Sequence, residues 1–248
     1  MVAGDQGVRR KRDLTRRDLT EAGDSEYVLR MTVSPPAATT ADFFARARAR
    51  LTLDVPAGIT DETIVPARGD HDLDPMAAAI AAVRPIRPAA VLVGVVARDE
   101  PMVLLTQRTV HLKDHAGQIS FPGGKIDAAD ASPMAAALRE ADEEIGLGAD
   151  RIEPIGYLDL YLTTFGFRIV PVVARVAPEF ALTLNRDEVD DAFEVPLAFL
   201  MSPENHQRKS REWNGLTRHF YEMPFGERYI WGATAGILRN LYERIYTA

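Results

Sequence analysis

The chain has 248 residues, 46% of them hydrophobic, with a formal net charge of −7 and no cysteine. That is enough apolar content for a real core in one large domain or two small ones, and it excludes disulfides, thiolate zinc sites and cysteine nucleophiles. The acidic balance argues against a nucleic-acid partner held by electrostatics but not against an anionic substrate, because bound cations reverse the local sign.

Residues 1–38 are predicted to be a disordered tail. The basic cluster Arg9, Arg10, Lys11, Arg12, Arg16 and Arg17 is nearly balanced by Asp5, Asp13, Asp18, Glu21, Asp24 and Glu26, and large apolar residues are scarce. A single domain is expected over 39–248, beginning with a helical extension over 39–83. Thr40 caps a helix running to Leu51, and Asp74 with Pro75 opens another that Arg84-Pro85 ends. The apolar runs 90–97 and 102–108 then read as a hairpin, and Gln118 to Phe121 as a short strand. Further strands are predicted over 152–162 and 167–176, where Pro171 points to an edge or a bulge. A short helix is expected over 195–200, a strand from Trp213 to Tyr221, and a closing amphipathic helix from Ala233 to Tyr246. Strands on either side of a central helix imply an α/β fold, a mixed sheet with helices on both faces. No apolar run approaches the roughly 20 residues of a membrane span, and the N-terminus lacks an apolar signal core. A soluble, cytoplasmic protein with no membrane partner is therefore expected.

Residues 117–147, GQISFPGGKIDAADASPMAAALREADEEIGL, hold the densest chemistry. Ser132 and Pro133 suit an N-cap and first helical position, and Gly146 suits a C-terminal stop. Met134, Leu138, Ala141 and Ile145 repeat at helical period as one apolar stripe, and Glu140, Glu143 and Glu144 fall away from it. Glu140 and Glu144 are like charges four apart, which destabilises a helix unless a cation or a base lies between them. A solvated acidic face is the alternative reading. The clustering beside the Pro122-Gly123-Gly124 loop favours a cation platform, and oxygen-only ligands suit Mg²⁺ or Mn²⁺.

These residues resemble the Nudix hydrolase signature: Gly124, Asp130, Arg139, Glu140, Ala141, Glu143, Glu144, Gly146 and Leu147 fill it. Asp130 stands where Glu is usual, and one extra residue separates it from Arg139. LeuLeuThrGlnArg (104–108), Lys113, Gly117 and PheProGlyGly (121–124) are similar to the additional motif of the coenzyme A pyrophosphatase branch. Thr109 and Lys113 there replace the usual small residue and arginine. HisAlaGlyGlnIleSerPhe (115–121) and IleTrpGlyAlaThrAla (230–235) are further points of likeness.

The resemblance implies a Nudix-type α/β/α sandwich and metal-dependent hydrolysis of the pyrophosphate of coenzyme A or its derivatives. The products would be 3′,5′-ADP and 4′-phosphopantetheine or its acyl form. It implies Glu140, Glu144 and Glu143 as ligands of Mg²⁺ or Mn²⁺, joined by the Gly124 carbonyl. One of these glutamates, or Glu188 in the acidic loop, orients or deprotonates the water. Arg108 and Lys113 are expected on substrate phosphates, Arg because its fork matches phosphate, and His115 as a donor to substrate. Arg139 is expected to pair with the acids and orient them. Trp231 and Phe225 have core packing and adenine stacking as their two expected uses. A Nudix enzyme for ADP-ribose or another nucleoside diphosphate derivative is the nearest alternative, and a non-catalytic binding module of the same fold is the other.

Overall fold

The β-branched apolar runs do form the frame. The computed structural model describes residues 40–111, 115–213 and 215–247; the basic tail and Lys113 lie outside the described residues. In chain order come α1 (Thr40–Arg50), β1 (Arg68–Gly69), α2 (Pro75–Ala82), β2 (Arg87–Val96), β3 (Met102–Arg108), β4 (Ile119–Ser120) and β5 (Gly123–Lys125). The helix α3 (Pro133–Ile145) precedes β6 (Ile152–Tyr157), β7 (Tyr161–Leu162), β8 (Phe167–Val176), β9 (Val189–Pro196) and α4 (Leu197–Leu200). The chain closes through β10 (Gln207–Trp213), β11 (Leu216–Phe225), β12 (Arg228–Trp231) and α5 (Ala233–Tyr242).

The large sheet runs β1-β7-β8-β2-β3-β4, with β5 also pairing with β2, β6 with β8, and β9 with β3. Its spine is the parallel pair β2 and β8, in register from Arg87↔Phe167 to Val96↔Val176; β6 and β9 pair antiparallel. The sheet is therefore mixed. Alternation along β2 sends Leu92 and Val96 to one face, where Ala136, Ala137, Ala141 and Ile145 of α3 cover them. Val93 and Val95 go to the other, under Phe43 of α1, Leu200 of α4 and Leu238 and Leu241 of α5. The result is the α/β/α layering expected from the sequence.

Three local expectations differ from what forms. β8 is central, not an edge. Pro171 sits where β6 gives way to β7; its carbonyl accepts from the Leu158 N–H at 3.0 Å on that side. The N–H that proline lacks would point the same way, into the break between the two short strands, so no ladder bond is lost. The acidic stretch before residue 196 is strand β9 rather than only a loop. And β10 to β12 make a separate antiparallel sheet of three strands, only part of which was expected. The extension ahead of β2 is tied to the rest of the fold: Phe43, Phe44, Ala47 and Leu51 enter the core on the α5 side, and Asp70 accepts from Tyr161 and Thr164. No helix among the described residues is long and apolar enough to cross a membrane.

Candidate active site

The helix α3 starts and stops where its caps dictate. The Ser132 hydroxyl accepts from the Ala135 N–H at 3.1 Å, Pro133 occupies the first turn, and Gly146 ends the helix at φ 68. On this frame Glu140, Glu143 and Glu144 take three different environments. Glu144 is buried at 2% exposure, on the margin of the stripe that packs against the sheet. Glu140 is half-buried. Glu143 is exposed and tied to Arg139 at 2.9 Å.

The glycine loop is built around these carboxylates. Gly123 has φ 155, and a Cβ there would meet the Ala90 carbonyl at 2.4 Å, so only glycine lets this strand lie against β2. Its N–H donates to Glu144 Oε2 at 3.1 Å. At Gly124 a Cβ would lie 2.5 Å from Glu140 Oε1, so the backbone of this residue is pressed directly against the second carboxylate. Arg108, at the end of β3, reaches Glu144 Oε1 at 3.5 Å. The acidic loop arrives from the other side: the Glu188 carbonyl accepts from the Thr109 N–H at 3.0 Å, and the Asn185 side-chain amide donates to Glu188 Oε1 at 3.4 Å.

Electrostatics separates the acids further. Burial pushes the Glu144 carboxyl up to about 7; the charges of Glu140 and Glu188 add to this, while the Gly123 N–H and Arg108 oppose it. Glu140 is also raised, chiefly by burial, against the pull of Arg139. Two adjoining desolvated carboxylates with so little compensation lack positive charge. Among the described residues no three acidic or histidine side chains form a closed cation cage. Mg²⁺ characteristically takes one or two carboxylates and completes its shell with water and substrate phosphate. Glu140, Glu144 and the Gly124 backbone, all oxygen donors, fit a divalent cation on those terms.

Arg139 is the hub that holds the acids in place. It makes a two-pronged contact with Asp130, Nε to Oδ1 and Nη2 to Oδ2 at 3.0 Å each, and also reaches Glu140 at 3.0 Å, Glu143 at 2.9 Å and the Lys125 carbonyl at 3.2 Å. The Asp130 carboxyl also accepts from the Asp127 N–H at 2.8 Å, closing the turn that absorbs the extra residue. These bonds, Arg139 first, hold its pKa below the usual carboxylate range. His115 accounts for itself locally: it takes a positive φ of 57, its Nδ1 lies 3.0 Å from Gln118 Oε1, and its ring stands edge-on to Phe165. Phe225 packs against the core, whereas Trp231 lines a groove.

Sequence reading places Glu140, Glu144, Gly124, Arg108 and Glu188 in one neighbourhood, and the fold brings them together. Glu143 stands apart from that group on the exposed side. The Gly123 N–H and Asn185 are the contributors the sequence reading missed; an Asn three residues before Glu188 in a polar turn was the available signal for the second.

Gly124 allows a clean separation of stability from function. In Gly124→Ala the intruding Cβ meets the tip of a flexible side chain, so Glu140 swings aside and stability should change by less than about 1 kcal/mol. Displacing that carboxylate by about 1 Å should nevertheless lower turnover about a hundredfold, to be checked by thermal unfolding alongside steady-state kinetics.

Fold and site together define a hydrolase that acts on pyrophosphate bonds. The chain belongs to the Nudix family: the NUDIX domain model matches residues 85–214. Nudix hydrolase NudL of Escherichia coli strain K12 is 40% identical over 159 residues, covering 64% of this chain and 83% of that protein. Among solved structures, the MutT/nudix family protein from Enterococcus faecalis is similar at 16% identity with a TM-score of 0.43, over 66% of this chain and 63% of that one. DR0079 from Deinococcus radiodurans is similar at 12% identity and 0.43, over 63% and 83%. At such scores neither structure bears on the substrate.

Proposed function

We propose that this enzyme cleaves the internal pyrophosphate of coenzyme A or its derivatives, using Mg²⁺ or Mn²⁺. Water adds to one phosphorus, the P–O–P bridge breaks, and the bridging oxygen leaves with the other phosphate. The products are 3′,5′-ADP and 4′-phosphopantetheine or its acyl derivative. One observation supports this reading above the rest: Arg108, the last residue of LeuLeuThrGlnArg, reaches Glu144, and its N–H is bonded to Gln118 just ahead of PheProGlyGly at 2.9 Å. The segment similar to the coenzyme A branch thus adjoins the acids of the general signature.

When bound, the divalent cation neutralises diphosphate charge and acidifies an attacking water. Glu140, Glu144 and the Gly124 carbonyl are assigned to hold it, with Glu143 as an outer ligand released from Arg139. Glu188, oriented by Asn185, accepts the water's proton. Arg108 and Lys113 bind phosphate oxygens, where charge-assisted bonds act on the charge that moves in the transition state. His115 donates to substrate.

Incubating the protein and Mg²⁺ or Mn²⁺ with coenzyme A, ADP-ribose and a nucleoside triphosphate, then separating the products, tests the assignment. Coenzyme A should be the preferred substrate and should release 3′,5′-ADP. Preferred cleavage of ADP-ribose, or no cleavage of any of the three, would contradict it.

A further inference from the structure

The second sheet has a face that the hydrolysis scheme leaves unused. Register sets Lys209↔Phe220 and Arg211↔Arg218 side by side across β10 and β11, and Glu222↔Trp231 and Pro224↔Tyr229 across β11 and β12. The two-residue period of strands puts these side chains on one side, since Met223 and Ile230, on the other, are buried in the core. Trp231 meets Phe220 edge-on at 5.3 Å and stacks with Tyr229 at 6.2 Å. Between this face and Gln107, Gly117 and Gln118 lies an open groove of about 670 Å³, within the range of small-molecule sites. Its floor is continuous with the catalytic segment: the Thr234 hydroxyl, just after β12, donates to the Ile119 carbonyl at 3.0 Å, and Gln107 directly precedes Arg108.

The chemistry of the groove specifies its occupant. Tyr229 is 46% exposed, a large aromatic surface left to solvent, and an aromatic face stacks on any nucleobase. Arg211 is exposed, lines the groove, and makes no ion pair among the described residues. Its cross-strand neighbour Arg218 is engaged by Asp74 at 2.8 Å. Asp74 thus answers the charge of Arg218, and Arg211 is left as the guanidinium of this pair with no carboxylate partner among the described residues. Arg228 also lines the groove but is committed to Asp191 and Gln107, so it braces the wall. Glu227, in the β11–β12 turn, repels anions, which leaves Arg211 as the place for a phosphate.

We propose that this groove holds the adenine end of coenzyme A, with Trp231 and Tyr229 against the base and Arg211 on the ribose 3′-phosphate. The assignment rests on the coenzyme A reading above and extends it to the residues that select the nucleotide half. Arg211→Gln in the full-length protein should raise KM about tenfold for coenzyme A, the loss of one charge-assisted contact, and less than about twofold for dephospho-coenzyme A. A variant that was merely misfolded would lose turnover on both substrates alike with KM unchanged. Trp231→Ala should raise both about tenfold by removing the stacking surface. Calorimetric titration with adenosine 3′,5′-bisphosphate needs no turnover, and both variants should bind it about tenfold more weakly than wild type. Equal affinity in wild type and both variants overturns the groove assignment while leaving the substrate reading intact. A wild type that binds the bisphosphate through these residues yet leaves coenzyme A uncleaved overturns the substrate reading alone.

Discussion

Replacing Glu144 with Gln is expected to lower hydrolysis about a thousandfold, as loss of an oxygen that holds the charge-stabilising cation should. Without metal, the same substitution should leave the fold at least as stable as wild type. The carboxyl is almost fully enclosed, and burial first, then Glu140 and Glu188, raise it to about 7 from an ordinary 4.5. The folded protein therefore holds this proton more tightly than the unfolded chain does. The resulting stability is complete below about pH 4.5 and is lost as pH rises through about 7. The gap between the two values corresponds to something on the order of 3 kcal/mol. Thermal unfolding in a chelator should thus show wild type losing stability from about pH 5 to about pH 8, and Glu144→Gln losing much less. Adding Mn²⁺ at about pH 8 should stabilise wild type, because the ionised pair then binds what it lacks, and should do little for the variant. A variant that keeps most of its activity, or that follows the wild-type pH dependence, would show that Glu144 has neither role.

The largest loss of stability should come from Arg139. This one guanidinium serves Asp130, Glu140 and Glu143 together, and the Asp130 side chain is only 6% exposed. Arg139→Met leaves those acids facing each other with no cation; the arginine is 29% exposed and Glu143 57% exposed, so water screens part of the repulsion and the loss is about 2 kcal/mol. In a protein of this size that corresponds to a fall in Tm of roughly 4–8 °C. Arg139→Lys should recover only part of the loss, because an ammonium cannot make the two-pronged contact to Asp130. Adding Asp130→Asn to Arg139→Met should restore part of it, since the most buried orphaned charge is then removed. Unchanged Tm in Arg139→Met would mean that the acids are compensated by something other than this arginine.

The helix that carries the acids was legible because local chemistry alone specifies it. Ser132, Pro133 and Gly146 are cap residues at the right spacing, and the apolar stripe has one period. The fold class was equally legible, since the β-branched enrichment of β2 and β8, and the short length of β3 between turn residues, favour buried strands over helices. What escaped was set by partners distant in the chain. Three of the eight residues of β9 are Asp190, Asp191 and Glu194, and a strand so acidic becomes favourable only once Arg98 holds Glu194 at 2.6 Å and Arg228 holds Asp191. β10 reads QRKSREW, with almost nothing apolar to alternate; its pairing with β11 makes it a strand. Pro171 argued for an edge or a bulge because the break between β6 and β7 that accommodates it is not a local property. In the site, the acids and glycines were visible as residue types, but which glutamate is buried was not. The approach of Gly123 and Arg108 decides that, and it separates Glu144 from Glu143, its immediate neighbour in the chain.

On the proposed function, Glu140 and Glu144, against the glycine loop, grip a divalent cation. Titrating Mn²⁺ into wild type and into the Glu140→Gln, Glu144→Gln double variant, with free ion read by electron paramagnetic resonance at about pH 8 and 3′,5′-ADP present to complete the ion's shell, tests it most directly. Wild type should sequester the ion and the double variant should leave it free. Equal sequestration by both proteins would contradict the account.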